Sequence, residues 1–334
     1  MMGINLKKTF KIDLKRMSFK HKNNKALYYL KNYFLLAVPQ KYHENKLNQL
    51  LSSLQKDPKE KQYILDRVNY YNKLNSPKEL KNSKILSDLK VKDGSKTYFF
   101  DFYESFKYFK KSLKVNYVFG DVTQIPNEPS FLKSRPINGD NKNSVLLKLN
   151  KVRHFIFIKK EKYNFLQKKD SIVFRGRVRS NLPNRIDFLE KYINHPLCNI
   201  GDVNKRAFKP EWKVSRMTID EQLAYKFILS LEGNDVASNL KWIMSSQSVA
   251  VMPKPKFETW FMEGTLIPNY HYIEIKDDFS DLEEVLKYYI LNPNKAQEIV
   301  KNANEYVSQF KNKEREKLIS LLVLEKYFKK TNQL

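Results

Sequence analysis

With 334 residues and 39.9 kDa, the chain is too long for a small single module and long enough to bury two hydrophobic cores. Its one cysteine, Cys198, excludes an intramolecular disulfide and any thiolate metal cluster; nothing calls for an oxidising compartment, and the chain reads as cytoplasmic. The net charge of +26 predicts an anionic partner: nucleic acid, a membrane surface or a phosphorylated substrate.

That charge is unevenly spread. Residues 1–170 carry 37 Lys and Arg against 15 Asp and Glu, whereas residues 171–334 carry 25 against 21. After the basic stretch that opens the chain, the apolar run "ALYYLKNYFLLAVP" is interrupted by Lys31 and closed by Pro39. It is too short to span a bilayer and has no small-residue cleavage site, so neither a transmembrane helix nor a signal peptide is expected.

The stretches "YHENKLNQLLSSLQ" and "EKQYILDRVNYYNKL" have helical periodicity, punctuated by Asp57-Pro58 and Ser76-Pro77. Four short aromatic and β-branched runs follow, "KTYFFDFY", "KVNYVFGDV", "NSVLLKL" and "HFIFIK", each of which predicts a strand. A boundary falls near residue 166. Beyond it "SIVFRG", "RIDFLEKYI", "EQLAYKFILSLEG", "VASNLKWIMSS", "SVAVMP", "HYIEI" and "SDLEEVLKYYILN" alternate strand and helix, the mark of a nucleotide-binding α/β layer.

In such a layer, ligands sit at the carboxyl ends of the strands. Arg175, Arg177, Arg179 and Arg185 cluster where "SIVFRG" ends, and a guanidinium fork suits phosphate oxygens. The competing reading pairs these arginines with acids such as Asp187 or Glu190. At the next strand end, after Glu232-Gly233, Ser238 or Asn234 caps a helix that begins near Ser238, with Asn239 and Lys241 as further donors. Asp277 and Asp278 close a strand, and Ser280 with Glu283 predicts a capping box. The five histidines show no metal-ligand spacing, and no HExxH, CxxC pair, Walker lysine loop or GxSxG elbow occurs. These observations lead to an anion-binding α/β protein, an enzyme acting on a phosphorylated ligand.

Taken together, "FRG" at 174–176, Arg185, "YKFILSLEGNDVASNLKWIMSSQSVAV" and "WFMEGTLIPNYHYIEI" followed by "DDFSDLEEVL" resemble glycosyltransferase family 90 over roughly residues 115–308. The blocks "GDVTQIPNEPSFLKSRP" and "NSVLLKLNKVRHF" are similar to the bacterial lipopolysaccharide branch of that family. The resemblance implies a GT-B fold, two Rossmann-like domains facing a cleft. Residues 1–165 would hold the acceptor, 166–315 the UDP-sugar donor, and 316–334 a helix returning to the first domain.

It further implies inversion at the anomeric carbon with no metal or other cofactor. By the same resemblance Asp121 is the catalytic base, although Pro126 stands farther from it than in animal members. The resemblance also implies donor-diphosphate contacts from Arg175, Gly176 and Arg177 at the FRG turn and from Arg185 downstream of it. The loop Asn234 to Lys241 is the donor-binding turn; animal members carry an arginine at the position of Asn239, so the diphosphate contact falls on Asn239, Lys241 or Ser238. Glu258 lies towards the nucleotide. The implied partners are a UDP-sugar, a phosphorylated lipopolysaccharide-type acceptor and the anionic inner face of the cytoplasmic membrane, where the protein would sit peripherally, held by its lysines. A nucleic-acid-binding protein and a non-catalytic lipid-associated scaffold are the rival readings; the first lacks any nucleic-acid signature, and most aromatics fall in core-like patterns.

Overall fold

The computed structural model describes residues 20–52, 57–92 and 94–334, so the basic stretch 1–19 lies outside the described residues. Three helices come first. In α1 (Lys25–Ala37) the Asn24 side chain accepts from the Leu27 amide; α2 (Gln40–Ser52) follows; α3 (Pro58–Tyr71) starts where Asp57 accepts from the Lys59 amide and Pro58 fills the first turn. Strand β1 (Lys84–Ile85) leads to α4 (Lys96–Phe106) and then to β2 (Lys114–Val115), which pairs antiparallel with β1.

The run "KTYFFDFY" is thus helical, contrary to the strand its composition predicts. Tyr98, Phe99, Phe100, Phe102 and Phe106 are all buried, so α4 is apolar around most of its circumference and loses the one-sided pattern that identifies a helix in sequence.

Three short strands, β3 (Tyr117–Val118), β4 (Ser130–Leu132) and β6 (Ser144–Leu146), form a parallel sheet in the order β3-β4-β6; β5 (Ser134–Pro136) lies between β4 and β6 in sequence, and α5 (Lys151–His154) follows. The run "HFIFIK" is not a strand. The Ile158 amide donates to Ser245 Oγ at 2.8 Å, while Phe155 and Ile158 bury in the core, so Ile158 is satisfied without a ladder partner.

The second half runs β7 (Lys169–Gly176), α6 (Pro183–Tyr192), β8 (Cys198–Asp202), α7 (Ile219–Gln222), β9 (Tyr225–Leu229), α8 (Leu240–Met244), β10 (Val249–Met252), β11 (Phe257–Thr259), β12 (Ile273–Glu274), α9 (Leu282–Leu291), α10 (Pro293–Ser308) and α11 (Lys313–Lys330). Five strands make a wholly parallel sheet, β12-β10-β9-β7-β8. Its side chains alternate between two cores: Ile172, Phe174, Phe227, Leu229, Val249 and Val251 face one, and Val173, Tyr225, Ile228, Ala250 and Met252 the other. Burial on both faces is what a parallel sheet requires, and it explains the continuous apolar runs.

Two predicted caps differ. Asn239 occupies the N-cap of α8 with no side-chain bond to the helix, so neither Ser238 nor Asn234 caps it. At α9 the N-cap is Asp281, and Ser280 and Glu283 form no capping box: the Ser280 amide donates to Asp278 Oδ1, and Glu283 pairs with Lys287 at 2.7 Å.

The C-terminal helix α11 packs against α3 and α4, with Asn72 donating to the Val323 carbonyl and Arg315 paired to Glu60. Between the two sheets β5 and β11 pair antiparallel, setting Arg135 opposite Glu258. The arginine is fully buried, bonded to Glu258 at 2.7 Å and to the carbonyls of Tyr70, Tyr71 and Ser144. This clasp fixes the position of the three-stranded sheet relative to the five-stranded one.

Candidate active site

The carboxyl ends of β7 and β9 open into a cleft of about 640 Å³. Opposite them stand the loop after β3, which carries Asp121, and α5, which carries Arg153 and His154. The backbone turns into Asp121 at Gly120, whose φ of +131° is one that side chains disfavour. On the far wall, β7 ends at Gly176, where a Cβ would come within 2.2 Å of the Phe174 ring, so only glycine lets the strand end there with that ring packed beneath it.

Six arginines line this space: Arg153, Arg175, Arg177, Arg179, Arg185 and Arg216. None has an acidic partner among the described residues, and Glu190, a predicted one, pairs with Lys209 instead. Two of the six are tied to the fold. Arg175 donates to the Asn199 carbonyl at 2.7 Å and to Asn199 Oδ1 at 2.6 Å. Arg185 donates to the carbonyls of Arg177, Leu231 and Glu232, holding the ends of β7 and β9 together. Burial, with the like charges of Arg179 and Arg153 nearby, pushes Arg185 down to about 10, still protonated at neutral pH. Arg153, Arg177, Arg179 and Arg216 are exposed, and their side chains make no hydrogen bond or ion pair among the described residues. Such a concentration of unpaired cation is costly unless an anion fills it.

Asp121 is 32% exposed. One carboxylate oxygen accepts from Lys133 at 2.5 Å and the other from Asn234 at 3.2 Å. Partial burial raises its pKa, but the Lys133 bond and charge, the Asn234 bond and Arg153 outweigh that and hold it below the usual carboxylate range. Lys133 is itself only 2% exposed and also contacts Asp235 at 2.6 Å; Asp235 accepts from Ser134 Oγ at 2.6 Å. Burial pushes Asp235 up despite that partner. The result is a carboxylate that is ionised, oriented and open to solvent on one side.

The sequence-predicted residues divide cleanly. Asp121, Arg175, Gly176, Arg177, Arg185, Asn234, Ser238 and Asn239 all line the cleft. Asn239 is committed to the strand: its side chain donates to the Leu229 carbonyl at 2.9 Å and accepts from Ser230 Oγ at 3.1 Å. Lys241 lies elsewhere, fully buried against Glu263 at 2.6 Å, because its helical position points it into the core rather than at the cleft. Glu258 is likewise withdrawn, neutralising Arg135 in the clasp and accepting from the Tyr70 hydroxyl.

Sequence reasoning missed Lys133, Asp235, Arg153, His154 and Arg216. Asp235 was within reach, since it sits in the same strand-end loop as Asn234. Lys133 carries no local signal; only the juxtaposition of β4 with two distant loops gives it a role. His154 is buried with both ring nitrogens unpartnered among the described residues, and burial together with Lys241, Lys133 and Arg153 holds it well below its ordinary pKa.

Comparison with known proteins gives this cleft a context. The model of the family described as Glycosyl transferase family 90 matches residues 143–330, which include all six cleft arginines and both strand-end loops. "O-glucosyltransferase LpsA" of Dichelobacter nodosus is 40% identical over 306 residues, covering 91% of this chain and 95% of that protein. "Uncharacterized protein 179R" of Invertebrate iridescent virus 6 is 29% identical over 163 residues, 47% of this chain and 12% of that much longer protein. A family match over more than half the chain and a relative similar along nearly its whole length agree: the chain belongs to glycosyl transferase family 90 and is a glycosyltransferase.

Proposed function

We propose that the chain is an inverting, metal-independent O-glycosyltransferase of GT-B architecture that moves a sugar from a UDP-sugar to a hydroxyl of a lipopolysaccharide-core type acceptor. The observation that carries this reading is the pairing, in one cleft, of an ionised carboxylate with four arginines whose side chains make no hydrogen bond or ion pair among the described residues. The printed name of the Dichelobacter nodosus relative favours glucose as the sugar.

In this mechanism the acceptor hydroxyl gives its proton to the Asp121 carboxylate as its oxygen attacks C1. The bond from C1 to the diphosphate oxygen breaks on the opposite face, and UDP leaves with the electron pair. Arg177, Arg179 and Arg216, with Arg153 across the cleft, offset the charge that develops on the diphosphate, the work a metal ion performs in other transferases. Arg185 and Arg175 hold the strand ends from which these groups project. Lys133 keeps Asp121 ionised and Asn234 fixes its orientation. The excess of lysine in the first half supports peripheral attraction to an anionic membrane at the cytoplasmic face, where such an acceptor would be presented.

The test is thermal stability against a panel of nucleotides and nucleotide sugars, because a ligand bound only by the folded state raises the melting temperature. UDP and UDP-glucose should raise it, and Arg179→Ala should diminish the shift. A shift with RNA or DNA and none with UDP would overturn the proposal.

A further inference from the structure

Helix α1 turns Tyr28, Tyr29, Asn32 and Leu36 inwards. The Tyr28 hydroxyl donates to Asp101 at 2.7 Å, Asn32 is buried, and Tyr29 meets Phe100 edge-on, so this face binds α4. The opposite face displays Leu27, Leu30 and Phe34, which are 62%, 70% and 72% exposed, flanked by Tyr33, Ala26 and Ala37. At 3.6 residues per turn these positions form a stripe about 120° wide. Lys31 marks its border, and α1 contains no acidic residue. Lone exposed leucines are ordinary, but a continuous apolar face on one helix marks an interaction surface.

The surroundings select the partner. Lys22 and Lys25 before and at the start of α1 and Lys41 in the first turn of α2 are exposed, with no ion-pair partner among the described residues. In sequence, residues 1–19 add Lys7, Lys8, Lys11, Lys15 and Arg16 against Asp13 alone. A two-fold pairing of α1 with its copy would bring these lysines together with nothing to neutralise them. An apolar stripe bordered by lysines instead matches a helix lying at the surface of an anionic bilayer.

We infer that α1 is an interfacial helix, its axis in the membrane plane, with Leu27, Leu30 and Phe34 inserted at the level of the lipid headgroups. The helix also adjoins the cleft. His21 Nε2 lies 2.8 Å from Asp220 in α7, whose Ile219 and Gln222 line it; Asn23 donates to the carbonyls of Val152 and Phe155, either side of Arg153 and His154. Seating α1 in the bilayer therefore brings the cleft to the membrane surface. This deepens the reading of a membrane-presented acceptor and rests on that reading for its purpose.

The experiment is co-sedimentation of the full chain with vesicles of phosphatidylcholine alone or with phosphatidylglycerol, at low and high salt, using wild type and the double variant Leu30→Ser, Phe34→Ser. The wild type should bind the anionic vesicles, salt should weaken but not abolish binding, and the double variant should bind about 100-fold more weakly. Both substitutions are on the surface, so the melting temperature and its rise with UDP should not change. In Phe34→Trp, emission should move to the blue when anionic vesicles are added. Equal binding by wild type and double variant overturns the inference, as does a wild-type dimer that the double variant converts to monomer. Loss of UDP binding with vesicle binding intact would instead count against the transferase reading and leave α1 as assigned.

Discussion

Asn234 donates its side-chain amide to the Asp121 carboxylate at 3.2 Å, joining the loop after β9 to the loop after β3 across the mouth of the cleft. The contact links the part of the chain that carries the arginine cluster to the part that carries Asp121. Asn234→Ala should therefore lower kcat more than it weakens UDP binding, by about tenfold, the value of one hydrogen bond that orients a reacting group. Steady-state kinetics with UDP titration would reveal the split.

Arg179 and Arg185 should behave differently. The Arg179 side chain is exposed and makes no hydrogen bond or ion pair among the described residues, so Arg179→Ala should leave the melting temperature unchanged and weaken UDP binding at least about tenfold, the loss of a charge-assisted bond to phosphate. Arg185→Ala should weaken UDP binding and lower the melting temperature as well, because it also frees the carbonyls of Arg177, Leu231 and Glu232. Calorimetric titration beside thermal denaturation separates the two.

The acid limb of kcat/KM should reflect the depressed pKa of Asp121. A base works only when deprotonated, and a lowered pKa keeps it so to lower pH; the limb should fall below the ordinary carboxylate value of about 3.9, or be hidden by acid unfolding. Lys133→Met removes the cation that depresses it and should move the limb up into the measurable range. The same change leaves Asp235 buried without its partner and should cost about 3 kcal/mol of stability.

Glu258→Gln tests the structural reading of a residue that the family resemblance placed near the nucleotide. It leaves the buried Arg135 without its counter-charge, at a cost of about 3–5 kcal/mol, and should lower the melting temperature without a selective effect on UDP affinity. A large loss of affinity at unchanged stability would restore Glu258 to the donor site.

Much of the second half was legible because a parallel sheet buried on both faces writes itself as apolar runs ending in Gly and polar loops; "SIVFRG" and "YKFILSLEG" each placed a strand end at the cleft. The strand β8 was passed over, since "CNIGD" is only partly apolar and its role as an edge strand depends on its neighbour. In the first half, α4 and residues 154–159 misled because aromatic density signals burial rather than conformation. At the site, the arginines announced themselves by number and position. Lys241 and Glu258 did not show that they point inwards, because buried ion pairs join residues distant in sequence or in different elements. Lys133 was silent for the same reason.

The central claim is that Asp121 removes the acceptor proton in a single displacement at C1. Its most direct measurement is transfer from UDP-glucose to a lipooligosaccharide-type acceptor by wild type and Asp121→Asn, with the anomeric configuration of the product read by NMR. The account predicts a β-linked product from the α-linked donor, and a fall in kcat of about 10²–10⁴ in the variant while its melting temperature still rises with UDP. An α-linked product, or an Asp121→Asn enzyme that turns over like wild type, would contradict it.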